Sequence, residues 1–61
     1  MNQKFLKGGD VAAILNISRT KAFSLMQQGE IRTLRIGKSV RVREEDLELF
    51  ISRNLSEKKN D

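Results

Sequence analysis

Two short stretches in the first half of the chain have the apolar spacing of amphipathic helices, and a polar turn separates them. The i, i+3, i+4 spacing occurs first at Val11, Ile14 and Leu15 and again at Ala22, Leu25 and Met26. Gly29 closes the second stretch, at the position where a left-handed residue commonly ends a helix. The pattern therefore predicts one helix over about residues 9–15 and a second over about residues 18–28.

The turn between these helices has its own signals. Ser18 stands where its side chain would accept a hydrogen bond from the first backbone N–H groups of the second helix. Ile17 is the apolar residue of this corner, and we expect it to fill the space between the two helices. Phe23 lies off the apolar stripe, so two interpretations remain open: a core side chain, or a contact with a DNA sugar-phosphate edge.

The start of the first helix is less well marked. Phe5 and Leu6 form either a short strand or an apolar pair beneath the helix. Gly8-Gly9 is an unfavourable start for a helix because glycine lowers helix stability. Either Gly9 or Asp10 caps a shortened helix, or Asp10 lies in its first turn and favours the positive end of the helix dipole.

From Ile31 onward the apolar period changes from helical to alternating, which predicts a β-hairpin. The apolar positions of this segment are Leu34, Ile36, Val40 and Val42, and the positions between them are occupied by Arg35, Arg41 and Arg43. A two-residue loop at Gly37-Lys38 would pair Arg35 with Val40 and mix the two faces. A three-residue loop over residues 37–39 would instead keep all four apolar side chains on one buried face, and we predict that register.

The predicted register sets Arg35 opposite Arg41 on the exposed face, where like charges destabilise a sheet. An anion between them, phosphate above all, would relieve this repulsion, and Lys38 adds a third charge at the tip. The alternative is that the arginine stems lie apart over a small sheet with little repulsion in water.

The last third of the chain predicts a closing helix over about residues 45–55. It opens with three acids that suit a helix N-terminus, Glu44, Glu45 and Asp46. Its apolar stripe consists of Leu47, Phe50, Ile51 and Leu55, and we expect it to close the core. We predict that residues 56–61 form a frayed polar tail. The whole chain, residues 1–61, is then a single domain that is ordered over about residues 4–55.

Composition excludes several classes of function. The 61 residues include no cysteine, histidine or tyrosine, so the usual metal ligands, general bases and tyrosine nucleophiles are missing. We therefore expect no metal, no cofactor and no enzymatic activity. The absence of cysteine fits a reducing cytoplasm, and we expect neither a membrane span nor a signal peptide.

Positive charge is concentrated in the middle of the chain. The formal net charge is +4, but residues 18–43 carry seven cations against one acid, whereas residues 44–61 are net acidic. This distribution is typical of a surface that binds a polyanion. A solvated charged surface, which small domains need in any case, is the alternative interpretation.

Taken together, the chain resembles the excisionase-type DNA-binding domains of the winged-helix superfamily that includes the MerR regulators. The resemblance covers about residues 5–51. It rests on residues 11–19 of the first helix and turn, Gly29-Glu30-Ile31 after the second helix, residues 35–42 of the hairpin, and Glu45-Asp46-Leu47. It implies an α+β fold, a small winged helix-turn-helix of three short helices and a two- or three-stranded antiparallel wing.

By the same resemblance, the second helix enters the major groove and the wing follows the backbone or the adjacent minor groove. The implied DNA-binding residues are Ser18, Arg19, Thr20, Lys21 and Ser24 from the second helix and Arg35, Lys38, Ser39 and Arg41 from the wing. The acidic outer side of the third helix would face away from the DNA. Lys7 departs from the family pattern, because a Ser or Thr cap is usual there.

The resemblance implies a double-stranded-DNA-binding protein that bends DNA at mobile-element ends and directs an integrase towards excision. The alternative is a small transcriptional regulator without a recombinase partner. A third hypothesis is an interaction module whose basic face binds an acidic protein. The chain ends soon after Leu55, so we do not expect the long dimerisation helix and effector domain of MerR regulators. The resemblance implies a nucleoid-associated protein, and cooperative self-association on tandem sites stays open.

Overall fold

The computed structural model describes residues 4–56, and these fold into three helices and a three-stranded antiparallel sheet. In chain order the elements are β1 (Phe5–Leu6), α1 (Gly8–Leu15), α2 (Arg19–Gln27), β2 (Leu34–Ile36), β3 (Ser39–Arg43) and α3 (Glu44–Asn54). Two helices joined by a tight turn, then a hairpin and a closing helix, make a small winged helix-turn-helix, so the predicted fold class is confirmed. Apart from Ser56, the predicted tail lies outside the described residues.

The corner between α1 and α2 is fixed by its backbone. Asn16 adopts the left-handed conformation, with φ 59° and ψ 47°. The N–H groups of Asn16 and Ile17 donate to carbonyls of the last turn of α1 at 3.3 and 2.9 Å, which is the Schellman arrangement that ends a helix. Ser18 Oγ then accepts from the Lys21 N–H at 3.0 Å, so the predicted cap of the second helix is confirmed.

Helix α1 starts without a capping hydroxyl. The backbone N–H of Lys7 donates to Asp10 Oδ2 at 2.9 Å, which is one half of a capping box. Asp10 thus lies in the first turn, the second of the two alternatives that the sequence left open. The carboxylate there also favours the positive end of the helix dipole.

The wing hairpin has a two-residue loop, so the predicted three-residue loop is wrong. Arg35 pairs with Val40, and Leu34 pairs with Arg41. Gly37, the first loop residue, has φ +60°. A glycine with positive φ at the first of two loop positions is typical of the type II′ turn, whose twist matches antiparallel strands. The glycine's position, rather than the apolar alternation, decided the register.

The observed register changes which side chains share a face. Leu34 and Ile36 lie with Arg41 on the outer face of the sheet and are 39% and 60% exposed, so the prediction that both are buried is wrong. Arg35 lies on the inner face beside Val40, and the predicted opposition of Arg35 and Arg41 is therefore also wrong. The physical reason is that an antiparallel sheet can leave one face to solvent, and Leu34 and Ile36 lie on that exposed outer face.

The core lies between the helices and the inner face of the central strand β3, which is flanked by β1 and β2. Its buried apolar members are Leu6, Val11, Ala12, Ala22, Met26, Ile31, Val42 and Leu47. Partly buried side chains pack around them, namely Leu15, Ile17, Leu25, Val40 and Phe50. Most of the predicted core is thus confirmed, and Ile31 is completely buried.

Three apolar residues of the predicted helical stripes lie at the surface instead. Ile14 is 55% exposed, and Ala12 takes the buried position on α1. Ile51 and Leu55 are likewise exposed, so α3 contributes Leu47 and Phe50 but not its C-terminal half. The core of this short chain ends before the predicted stripes do, because few residues lie far enough from the surface to be buried.

Candidate nucleic-acid interface

The first turn of α2 presents a polar and basic surface. Arg19, Thr20 and Lys21 are exposed directly after the capping residue Ser18. Ser18 Oγ accepts the Lys21 N–H, so the O–H of the same group remains a donor for an acceptor outside the protein. The cap thus fixes the start of α2 and aims these side chains outward together.

Two side chains of α2 lie close to the glycines at the start of α1. A Cβ at Gly8 would lie 2.6 Å from Cε1 of the Phe23 ring, and one at Gly9 would lie 3.1 Å from Nη2 of Arg19. Phe23 and Arg19 therefore pack over the N-terminus of α1 where only glycine leaves room. The glycine pair, unusual as a helix start, was the sequence signal for this contact.

Helix α2 and the wing form one continuous surface. Phe23 and Gln27 of α2 line a depression of about 210 Å³ together with Thr33 and Arg35, the latter on strand β2. A second depression, next to the first and sharing Phe23, has the cations Lys7 and Arg19 and the single acid Asp10 at its rim. We call the two depressions and their rims the basic surface. Lys7 and Gln27 were not among the predicted site residues.

The remaining predicted site residues lie on the wing and on the second turn of α2. Lys38 and Ser39 are exposed at the hairpin end, whereas Arg41 lies half-buried on the outer sheet face. The Nη1 group of Arg41 donates to the Val40 carbonyl at 3.0 Å. Ser24, also half-buried, accepts from Nε2 of Gln28 at 2.8 Å. The structure thus places Arg35 beside Phe23 and Gln27 of α2, and sets Arg41 on the opposite face of the wing.

One cation of the basic middle segment is neutralised inside the protein. Arg43, at the end of β3, donates from Nε to Asp46 Oδ2 at 2.6 Å and from Nη2 to Asp46 Oδ1 at 3.0 Å. Its Nη1 also lies 3.1 Å from Glu45 Oε2. This two-pronged pair fastens the wing to the first turn of α3.

The pair shifts both titrating groups. The hydrogen bonds from Arg43 hold the pKa of the Asp46 carboxyl below its usual value, although burial opposes the shift, and the charge of Arg32 adds to the lowering. The pKa of Arg43 is raised, mainly by its hydrogen bond to Asp46. Arg43 and Arg32 therefore stabilise the charged carboxylate in the first turn of α3. The sequence did not identify the Arg43–Asp46 pair.

A depression of about 510 Å³ lies between α3 and the segment that follows α2, and Thr33 lines both it and the basic surface. Arg53 spans this depression and donates from Nη2 to the Glu30 carbonyl at 2.7 Å. Over residues 4–56 the structure contains no cluster of three or more acidic, histidine or cysteine side chains that would hold a metal ion. In the same part of the chain, no helix has the length and apolar character to cross a membrane.

Comparisons with known proteins agree with this geometry. Neither the curated proteins nor the solved structures gave a match. A family model described as a helix-turn-helix domain matches residues 5–55, from the first strand to the end of the last helix. That family includes excisionase-like proteins, and helix-turn-helix domains are typically non-enzymatic DNA-binding units. Since the match covers most of the chain, the protein belongs to the helix-turn-helix domain family.

Proposed function

We propose that the protein binds double-stranded DNA with α2 in the major groove and the β2–β3 wing against the backbone or in the adjacent minor groove. The observation that carries this proposal is the basic surface, to which α2 contributes Arg19 and the wing contributes Arg35, two elements that helix-turn-helix proteins direct towards DNA. The acidic first turn of α3 belongs to a different side of the wing, and its Asp46 is already paired. The pairing of Asp46 with Arg43 reduces the repulsion that DNA at the wing would otherwise experience there.

In this proposal the contacts divide by element. The α2 contacts are Ser18, Arg19, Thr20, Lys21 and Ser24, and the wing contacts are Arg35, Lys38, Ser39 and Arg41. Arg35 and Arg41 extend from opposite faces of the hairpin. A ribbon inserted along a minor groove offers one face to each wall, so this arrangement suits contact with the phosphates of both strands.

Salt dependence tests the DNA proposal. Five of the proposed contacts are cations, namely Arg19, Lys21, Arg35, Lys38 and Arg41. If each neutralises one phosphate, the slope of log K against log salt for duplex DNA is about −4.5. The measurement is fluorescence anisotropy of a labelled duplex from low to physiological salt. Equal affinity for an acidic polypeptide such as poly-glutamate would instead support the interaction-module hypothesis.

We further propose that this DNA binding serves excision: the protein binds and bends DNA at the ends of a mobile element and directs an integrase, acting at the nucleoid. Membership of a family that includes excisionase-like proteins supports this role. An integrase gene beside this gene would add support. The direct test is an excision assay with that integrase, alongside gel mobility of circularly permuted fragments to measure bending.

A transcriptional role is the other outcome of these assays. If the protein leaves the yield of excision unchanged but alters transcription from a promoter that carries its site, the excision proposal is withdrawn. DNA binding through the basic surface would stand in either case. The two roles differ in the partner and not in the contact residues.

A further inference from the structure

The aromatic ring of Phe23 occupies an unusual position. It is 49% exposed and belongs neither to the buried core nor to the partly buried side chains around it. Yet the ring is held in place, because it lies directly over the Cα of Gly8, where a Cβ would overlap it. Glycine at a helix start lowers stability relative to alanine. Two unfavourable features, a glycine in the first turn of a helix and an exposed apolar ring, thus occur together at this site.

The position of Phe23 on α2 indicates which part of a DNA duplex its ring would contact. At 3.6 residues per turn, Phe23 lies about 100° from the core-facing Ala22, whereas Thr20 and Ser24 lie about 160° from it. Thr20 and Ser24 therefore extend most directly towards base edges. Phe23 belongs to the flank of α2, which faces a wall of the major groove.

The charges around the ring match such a wall. Arg19 shares the depression on one side of Phe23, and Arg35 shares the depression on the other. A DNA strand alternates phosphates, which attract arginine, with deoxyribose rings, whose carbons are its apolar part. An apolar ring beside Arg35 complements that alternation.

We propose that Phe23 is a DNA-contact residue whose ring packs on a deoxyribose next to a phosphate bound by Arg35. The inference rests on the proposed DNA binding and adds to it an apolar, sequence-independent contact. Because the ring carries no charge, it contributes affinity without releasing counterions. Its contribution is therefore separable from that of the arginines.

The test compares Phe23→Ala and Phe23→Leu with the wild type on random-sequence duplex DNA over a range of salt. We expect Phe23→Ala to weaken binding about five- to ten-fold, as for burial of half a phenyl ring, with an unchanged salt slope. Phe23→Leu should retain part of the affinity. Leu49→Ala, at a side chain that is 59% exposed on α3, is the matched control and should bind normally.

Gly8→Ala separates a binding role from a folding role. The added Cβ displaces the Phe23 ring while alanine favours the helix, so we expect weaker DNA binding and no fall in melting temperature. Wild-type affinity in both Phe23→Ala and Gly8→Ala would overturn the inference. So would loss of affinity only in variants that no longer melt cooperatively.

Replacing thymine by uracil in a selected binding site distinguishes the sugar from a base. The inference expects wild-type affinity to be unchanged, because only a C5-methyl group is removed. A loss that disappears in Phe23→Ala would mean that the ring reads thymine, and would overturn the deoxyribose contact. If the wild type itself fails to bind any duplex, the proposed function fails before this inference is reached.

Discussion

Single side chains in this protein have two tasks at once. Ser18 caps α2 through its oxygen and keeps an O–H to donate, and Arg19 lies over Gly9 while remaining exposed. Packing against a neighbour restricts the rotamers of a long side chain and so reduces the entropy lost on binding. Arg19 is therefore a better candidate for a specific contact than Lys21, which extends freely from the same turn.

Substitution of Arg19 tests this difference. An arginine bidentate to guanine contributes about 1–3 kcal/mol of discrimination. We expect Arg19→Ala to weaken binding to a selected site by more than binding to random duplex, as measured by competition. Lys21→Ala, the matched control, should weaken both about equally. Equal losses for Arg19→Ala as well would assign Arg19 to a phosphate.

Arg41 tests the wing. We expect Arg41→Gln to reduce affinity about uniformly across sequences and to shallow the salt slope by roughly one phosphate. Arg41 faces Leu34 across the hairpin and not another arginine, so no repulsion is relieved and the free energy of unfolding should change by less than about 0.5 kcal/mol. Binding isotherms and urea melts measure the two effects. An unfolded variant, with normal binding by the residual folded protein, would make Arg41 structural.

Among the secondary-structure elements, the junction of β3 and α3 has the strongest polar interaction of the wing. Asp46 is 4% exposed in its side chain and receives two hydrogen bonds from Arg43, with Glu45 beside them. A buried carboxylate needs such partners because desolvation is otherwise unfavourable.

This junction predicts a pH dependence of stability. The pKa of Asp46 is lower in the folded than in the unfolded state, so the contribution is complete above the unfolded value of about 3.9. It is lost as the pH falls through the folded pKa, because the unfolded state then binds the proton more readily. Urea unfolding from pH 7 to pH 3 should show this loss.

The variant Asp46→Asn identifies the group responsible. It should be less stable at pH 7 by about 1–3 kcal/mol, since a hydrogen-bonded charge is lost. Its stability should also depend less on pH than that of the wild type. Glu48→Gln, which removes an exposed carboxylate of α3, is the control. Identical pH dependence in wild type and Asp46→Asn would show that other carboxylates determine it.

The molecule as a whole combines a small core with a segregated charge distribution. Val11, Ile31 and Val42 are the largest completely buried side chains, and they come from α1, from the segment after α2 and from β3. All three belong to the same buried core. A domain of this length has a small free energy of unfolding, so truncating any of these side chains would destabilise the entire fold.

Ile31 is the most informative core position. We expect Ile31→Ala to lower the free energy of unfolding by about 2–5 kcal/mol, which for so small a domain is much of the total. Thermal melting measures the effect. Ile14→Ala, at an apolar residue that is 55% exposed, is the matched control and should melt close to the wild type. A normal melting temperature for Ile31→Ala would contradict the core assignment.

The order of the elements was determined by the sequence alone, because local signals specified it. Ser18 capped α2 as predicted, Gly29 followed α2 with φ +82°, and the helix bounds agree with the predictions to within a residue or two. These features depend on backbone conformations of neighbouring residues, which the chain encodes locally. The charge of the middle segment was equally plain from the sequence.

The assignment of faces was decided by the tertiary structure. The position of Gly37 set a register that apolar alternation alone argued against, and this moved Leu34 and Ile36 to the surface and Arg35 towards α2. The packing of Phe23 on Gly8 likewise joins residues whose proximity depends on how α1 and α2 dock, whereas the Arg43–Asp46 pair is local to the start of α3. A sequence pattern gives the period of an element, but which side is covered depends on neighbours that only the folded chain supplies.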